Sequence, residues 1–212
     1  MEIYKGVVPA SLGTDALGGA VNIITLAEKK NFMDASYSIG SFHTHRADLN
    51  AQFVEQCTGL IVRPTIGINY SKNDYRMKDV QMRNETGDQF IYGNPKRFHD
   101  GYFSLLAQIE TGITGKLWAD EFFVSASYSK TDKELQTGSV QTKVYGMAER
   151  NSDAWNVSAR YNKHNFITEG MTLKATLSHT WDHSITIDTA YRKYYWDGGY
   201  IVSQRNEIRG NE

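Results

Sequence analysis

Two segments of this 212-residue chain hold aromatic rings and cationic groups close enough to act together on a ligand. Residues 89–99 read Gln-Phe-Ile-Tyr-Gly-Asn-Pro-Lys-Arg-Phe-His, and residues 191–196 read Tyr-Arg-Lys-Tyr-Tyr-Trp. Tyr92, Arg97 and His99 in the first, with Tyr194, Tyr195 and Trp196 in the second, offer π surfaces beside strong donors. That combination suits an anionic, aromatic ligand held by stacking and charge-assisted hydrogen bonds. The competing reading is that these are amphipathic rim residues of a β fold. Catalysis has far less to stand on. There is no Gly-rich phosphate loop, no Gly-x-Ser-x-Gly and no zinc-protease helix motif, and no carboxylates can be paired by spacing, so no enzyme and no cofactor are expected.

Metal chemistry is equally thin. His43-Thr44-His45 would put two imidazoles on one side of an extended segment, but no third ligand is apparent. His179 and His183 flank Trp181 where a strand meets a loop, which suits an interface position better than ligation. Asp197-Gly198-Gly199 reads as a turn, since no spaced acidic series follows it. Cys57 is alone, which excludes an internal disulfide and a cysteine-based metal site.

The residues that would carry these groups are β-forming. Tyr numbers 13 and Pro only 3, with aromatics at 12% of the chain and a mean hydropathy of −0.51. A net charge of −1, with Lys and Arg scattered, argues against nucleic acid as a partner. No run approaches the ~18 apolar residues of a transmembrane helix. Negative hydropathy does not exclude a membrane, because a barrel strand shows lipid only alternate residues.

Strict alternation starts after the polar segment 27–31 and persists. Met33, Ala35, Tyr37 and Ile39 share one face, as do Ala47, Leu49, Ala51 and Phe53, and then Leu60 through Tyr70 at every second position. The pattern repeats around 103–109, 122–128, 155–161 and 171–177, giving about seven strands, with 60–74 and 117–131 as long ones. None of these apolar-face positions is charged, and the exceptions on the polar face are Ile61, Leu106 and Phe123. Aromatics recur at strand ends, as membrane-interface girdles require. Connections alternate in length: short at 56–58, 112–116 and 163–169, long at 76–99, at 133–152 and after 185, apart from a tight first hairpin at 41–45. Such sorting suits an outer-membrane barrel, with its short periplasmic turns and longer outer loops. The predicted fold is therefore all-β: an antiparallel up-and-down transmembrane barrel wall, partial because seven strands cannot close one.

Ahead of this wall stand Glu2-Ile3-Tyr4-Lys5-Gly6, a turn with Leu12-Gly13, and Ala16-Leu-Gly18-Gly19-Ala-Val-Asn22-Ile-Ile-Thr25. This stretch resembles the end of the plug domain of TonB-dependent outer-membrane receptors, which carries a comparable strand, small-residue turn and Gly-Gly-x-(Ile/Val)-Asn-Ile-Ile-Thr strand. Lys5-Gly6-Val7-Val8-Pro9 departs from the family's frequent Arg-Gly-Pro, and Leu12-Gly13 from its Tyr-Gly. The resemblance implies plug residues 1–27, with Gly6, Gly13, Gly18, Gly19 and Asn22 as motif positions, and an incomplete barrel over 28–212. On that reading the chain is a fragment of a receptor of about 22 strands. It implies a Gram-negative outer membrane, a TonB complex acting through an N-terminal region this chain lacks, surrounding lipid, and energised uptake of a scarce nutrient, most often a ferric siderophore. Cobalamin, haem and glycans are also family substrates. The hinge and short turns would face the periplasm, the long loops the outside. Two other readings remain: a small outer-membrane barrel with a structural or adhesive role, and a soluble all-β binding module.

Overall fold

The computed structural model describes residues 2–6, 18–22, 30–83 and 89–209. Among them there is no helix, and so none long and apolar enough to cross a membrane. Seven strands make one antiparallel sheet: β3 (Phe32–Gly40), β4 (Thr44–Glu55), β5 (Leu60–Ser71), β8 (Tyr102–Thr114), β9 (Glu121–Glu134), β10 (Glu149–His164) and β11 (Thr172–Ile187). They are ordered as they occur in the chain, with β3 and β11 at the two edges. Three small hairpins complete the described elements: β1 (Glu2–Lys5) with β2 (Gly19–Asn22), β6 (Val80–Arg83) with β7 (Phe90–Gly93), and β12 (Arg192–Tyr194) with β13 (Tyr200–Val202).

The register turns the alternation of single strands into continuous rows. Ala35, Leu49, Ile66, Ala107, Tyr128, Trp155 and Trp181 lie side by side across all seven strands. The adjacent row, on the other face, is Asp34, Asn50, Thr65, Gln108, Ser127, Asn156 and Thr180. One residue of slip in any strand would exchange its apolar and polar sets, so the pattern fixes the register. Among the described residues no second layer covers the apolar face: Met33 is 69% exposed, Trp181 56% and Leu177 75%. Tyr70 and Phe103 pair near one rim, and the Tyr128 and Trp155 rings lie 4.7 Å apart in the row that runs from Ala35 to Trp181. Toward the other rim, Trp118 stacks on Tyr161 at 6.5 Å and lies 5.6 Å from Phe122.

Connections sort by rim as the sequence leads one to expect. One rim carries residues 56–59, 115–120 and 165–171; the other carries 72–101, 135–148 and 188–209, together with the tight hairpin 41–43. Several boundaries differ from the sequence reading. The strand expected over 60–74 stops at Ser71, and that expected from Leu117 starts at Glu121, because residues 115–120 form a turn closed by Lys116 and Ala119 bonding each other's backbones. Gly112, expected in a turn, lies inside β8, and Met171 lies just outside β11. The long segments expected to be plain loops contain β6–β7 and β12–β13.

The polar-face exceptions Ile61 and Phe123 turn out to be packed residues, 2% and 5% exposed. A Cβ added at Gly112 would run into the Phe122 carbonyl oxygen and the Phe123 ring, so the glycine lets the ring lie flat across β8. In the first hairpin, β1 and β2 pair from Glu2–Asn22 to Lys5–Gly19, outside the large sheet. The expected close approach of backbones there belongs to Gly19, at φ 145°, where a Cβ would run into the Tyr4 carbonyl oxygen; Gly18 has open space around it. Gly6 takes φ 84°, and Gly13 lies outside the described residues. Gly112→Ala is expected to destabilise the sheet by about 1–3 kcal/mol through forced displacement of Phe123. Urea unfolding in detergent, followed by tryptophan fluorescence, would measure it; an unchanged midpoint would contradict this packing.

Candidate functional site

The three long connections do not stand as separate loops. Val80 of β6, Val144 of residues 135–148, and Tyr194 and Trp196 of the last segment form one buried apolar cluster, with Met77 and Met82 packed against it. Isolated bridges join Thr137 to Val144 and Val144 to Tyr194, so backbone pairing ties the second loop to the third. The result is a cap over one rim of the sheet, with its own small core.

Buried polar groups organise the cap. Gln136 is 1% exposed: its Oε1 accepts the Phe98 and His99 amides at 2.7 and 2.8 Å, and its Nε2 donates to the Tyr145 carbonyl at 3.1 Å. Glu207 Oε2 accepts three consecutive amides, Gly146, Met147 and Ala148, at 2.9, 3.1 and 3.2 Å. Asp188, just past the end of β11, accepts the Glu207 and Ile208 amides at 2.9 and 3.1 Å, which turns the chain back toward the second loop. These are anion-to-amide contacts of the kind that fix loops in place.

Within this cap the residues singled out from sequence have definite positions. His99 is buried; its Nε2 donates to the Ala148 carbonyl at 2.9 Å, and Nδ1 lies 3.7 Å from Glu134. Tyr194 is buried with Phe98 and Tyr200 beside it, and Trp196 donates Nε1–H to the Gln141 carbonyl at 2.9 Å. Arg97 pairs with Asp100 at 2.9 Å and stacks over the Tyr75 ring at 5.4 Å. Tyr195 is half-buried in the hairpin turn, and Tyr92 stands out on β7, 72% exposed. The structure thus brings Tyr194 and Trp196 together as internal packing, buries His99 against Gln136 and Ala148, and leaves Tyr92 apart as the open ring. Gln136, Asp188 and Glu207 were not singled out, since nothing local distinguishes them from any other polar loop residue.

Beside the buried cluster a cleft of about 460 Å³ opens, lined by Lys72, Asp74, Lys96, Arg97, Phe98 and Trp196 among others. Lys96 lies 2.9 Å from Asp74, and this hydrogen bond, with the charges of Lys96, Lys72 and His43, holds the Asp74 carboxyl below its usual range. The cleft keeps mixed charge beside an aromatic wall, so it can present both donors and a stacking surface. His43 is not in an extended segment: it sits in the first hairpin of the large sheet at φ 56°, 4.0 Å from Asp74, while His45 points to the Tyr37 hydroxyl at 2.8 Å. The two imidazoles therefore have different partners, and no group of three metal-ligating side chains occurs among the described residues. Asp197 accepts the Gly199 amide at 2.9 Å in the β12–β13 turn, as its sequence suggests. His179 lies edge-on to Trp181 at 4.2 Å. No protein-family model matches the chain, and neither a curated protein nor a solved structure matches it.

Two outcomes follow from this geometry. Glu207→Gln removes the anionic acceptor of three amides and is expected to cost about 1–3 kcal/mol of cap stability. Limited proteolysis should then cut within residues 135–148, while the sheet stays protected. Asp74 has a lowered pKa, so its link to Lys96 is present above the unfolded carboxylate value of about 3.9 and is lost as pH falls through the lower folded value. An NMR titration of Asp74 should show its midpoint below that reference, and Lys96→Met should bring it back up.

Proposed function

We propose that this chain is part of a TonB-dependent outer-membrane receptor: the last strands of a plug over 1–27 and the first part of a barrel wall from 28. The observation that carries the reading is the apolar row that crosses all seven strands with no member buried and Ala35, Ile66, Trp155 and Trp181 exposed, beside a polar row of equal length. A face of that size without a covering layer calls for an apolar surrounding, and lipid provides one. Aromatics near both rims, Tyr70 and Phe103 at one and Trp118, Phe122 and Tyr161 at the other, and the gathering of all long connections on one rim support the same assignment. The free edges at β3 and β11 call for further strands, because unpaired backbone groups in lipid cost several kcal/mol each. Separation of β1–β2 from the large sheet suits a plug remnant.

In this reading the cap rim faces outside and receives a scarce nutrient, most often a ferric siderophore, with Tyr92 and the Lys72–Lys96–Phe98 cleft nearest the ligand. No covalent chemistry is required of the chain. Uptake past the plug is powered through TonB, and lumen-facing residues of the polar face line the route.

Topology gives a direct test in the full-length protein. Cys57 is exposed in the turn between β4 and β5, on the rim assigned to the periplasm. On intact cells a membrane-impermeant maleimide should leave Cys57 unlabelled and should label a Cys57→Ser, Val140→Cys variant, whose new thiol sits in the cap. Labelling of Cys57 from outside, or recovery of the protein in the soluble fraction, would overturn the assignment. Correct labelling without TonB-dependent accumulation of a ferric chelate or other nutrient would instead favour the small structural or adhesive barrel.

A further inference from the structure

The segment leading into β3 is held by side chains as well as by the ladder. Gln52 on β4, 4% exposed, donates from Nε2 to the Lys30 carbonyl at 2.8 Å, and Asn31 Oδ1 accepts the Val54 amide at 2.6 Å. Gln52 Oε1 in turn accepts from Arg63 Nε on β5 at 2.7 Å. Arg63 Nη1 reaches one oxygen of Glu110 on β8 at 3.3 Å, and Arg160 Nη2 on β10 reaches the other at 3.0 Å. Both guanidinium groups lie over the Phe123 ring of β9, at 5.0 and 5.2 Å from its centroid. One connected series therefore runs from Lys30 through β4, β5, β8, β9 and β10.

Its location is specific. The ladder between β4 and β5 skips the pairs Ala51–Pro64 and Gln52–Arg63, and proline has no N–H to give. Gln52 and Arg63 face each other across that gap, so a side-chain bond joins β4 to β5 where the backbone does not. A strand pulled at its end loses ladder bonds one after another; a network that spans several strands must yield at many points together. Arg–carboxylate geometry and the ring contacts make this network directional as well as strong.

We propose that Gln52, Arg63, Glu110 and Arg160 form an anchor that spreads a pull on residues preceding Lys30 over five strands and keeps β3 and β4 from unzipping. The origin of the pull rests on the receptor reading, in which TonB displaces the segment over 1–27. The anchor itself depends only on the sheet.

Hydrogen exchange on the full-length protein in detergent tests it, with Glu110→Gln as the variant. The Val54 amide and the β3 amides lie two and three strands away from position 110; they are expected to exchange about tenfold faster, while the cap amides do not change. Exchange that rises only at β5, β8 and β10, next to the substitution, would overturn the proposal and leave a local cluster. Should Glu110→Gln fail to fold, Gln52→Met removes the link at its other end while keeping side-chain length, and faster exchange is expected at the same amides. Single-molecule pulling from the N-terminal side should detach β3 at a lower force in either variant; an unchanged force would also overturn it. Uptake assays run in parallel separate the two ideas, since absence of TonB-dependent transport in the unaltered protein counts against the receptor reading and leaves the exchange result standing.

Discussion

Everything in the large sheet depends on the antiparallel ladder, because among the described residues its strands pair only with their neighbours within it. In a sandwich, two sheets exclude water from a shared interior, and each strand is held by packing as well as by hydrogen bonds. Here, among the described residues, no second sheet faces the first. The row from Ala35 to Trp181 is open on one side, and the row from Asp34 to Thr180 on the other. Water solvates the second row more favourably than the first, so the two faces favour different surroundings. The separation of an apolar face from a polar one is thus a property of the register, not of any single residue.

The polar face is not uniformly wet. Ile61, Gly112 and Phe123 form a small apolar island roofed by the Arg63 and Arg160 guanidinium groups, with Glu110 between them. Elsewhere the face is bonded by short hydroxyl and amide contacts, such as Ser125 to Ser158 and Asn156 to Thr180. The cap shows a third regime, in which apolar packing and buried acceptors work together as they do in a soluble domain. Three environments thus occur in one chain of modest size, and each is set by what lies opposite a given face.

Much of the fold was legible because a two-residue period is local. Met33, Ala35, Tyr37 and Ile39 state their face without reference to the rest of the chain, and the same holds for each long strand. Ends were less legible: Leu117 and Ala119 continue the alternation by chance, yet Leu117 is 98% exposed and Trp118 turns back onto Tyr161. Strands of three or four residues, such as β12 and β6, are too short to carry a pattern. The candidate site was legible in composition and not in arrangement. Trp196 and Tyr194 announce themselves as aromatic, but their burial beside Val80 and Val144 is decided by residues about fifty or more positions away. Gln136 and Glu207 gave no signal, since their importance lies wholly in amides and carbonyls supplied by other parts of the cap.

The distances along the chain within the cap impose an order of assembly. Glu207 meets its amides at separations of 59 to 61 residues, and Gln136 meets His99 at 37. Contacts closed over such spans carry a loop-closure cost that must be met before they stabilise anything, and they form late. The cap therefore cannot close until β10 and β11 are in register and Asp188 has turned the chain back. Until then the aromatic side chains of all three loops stay uncovered. A chaperone that shields exposed aromatics would be needed longest at this rim, well after the first hairpins of the sheet have paired.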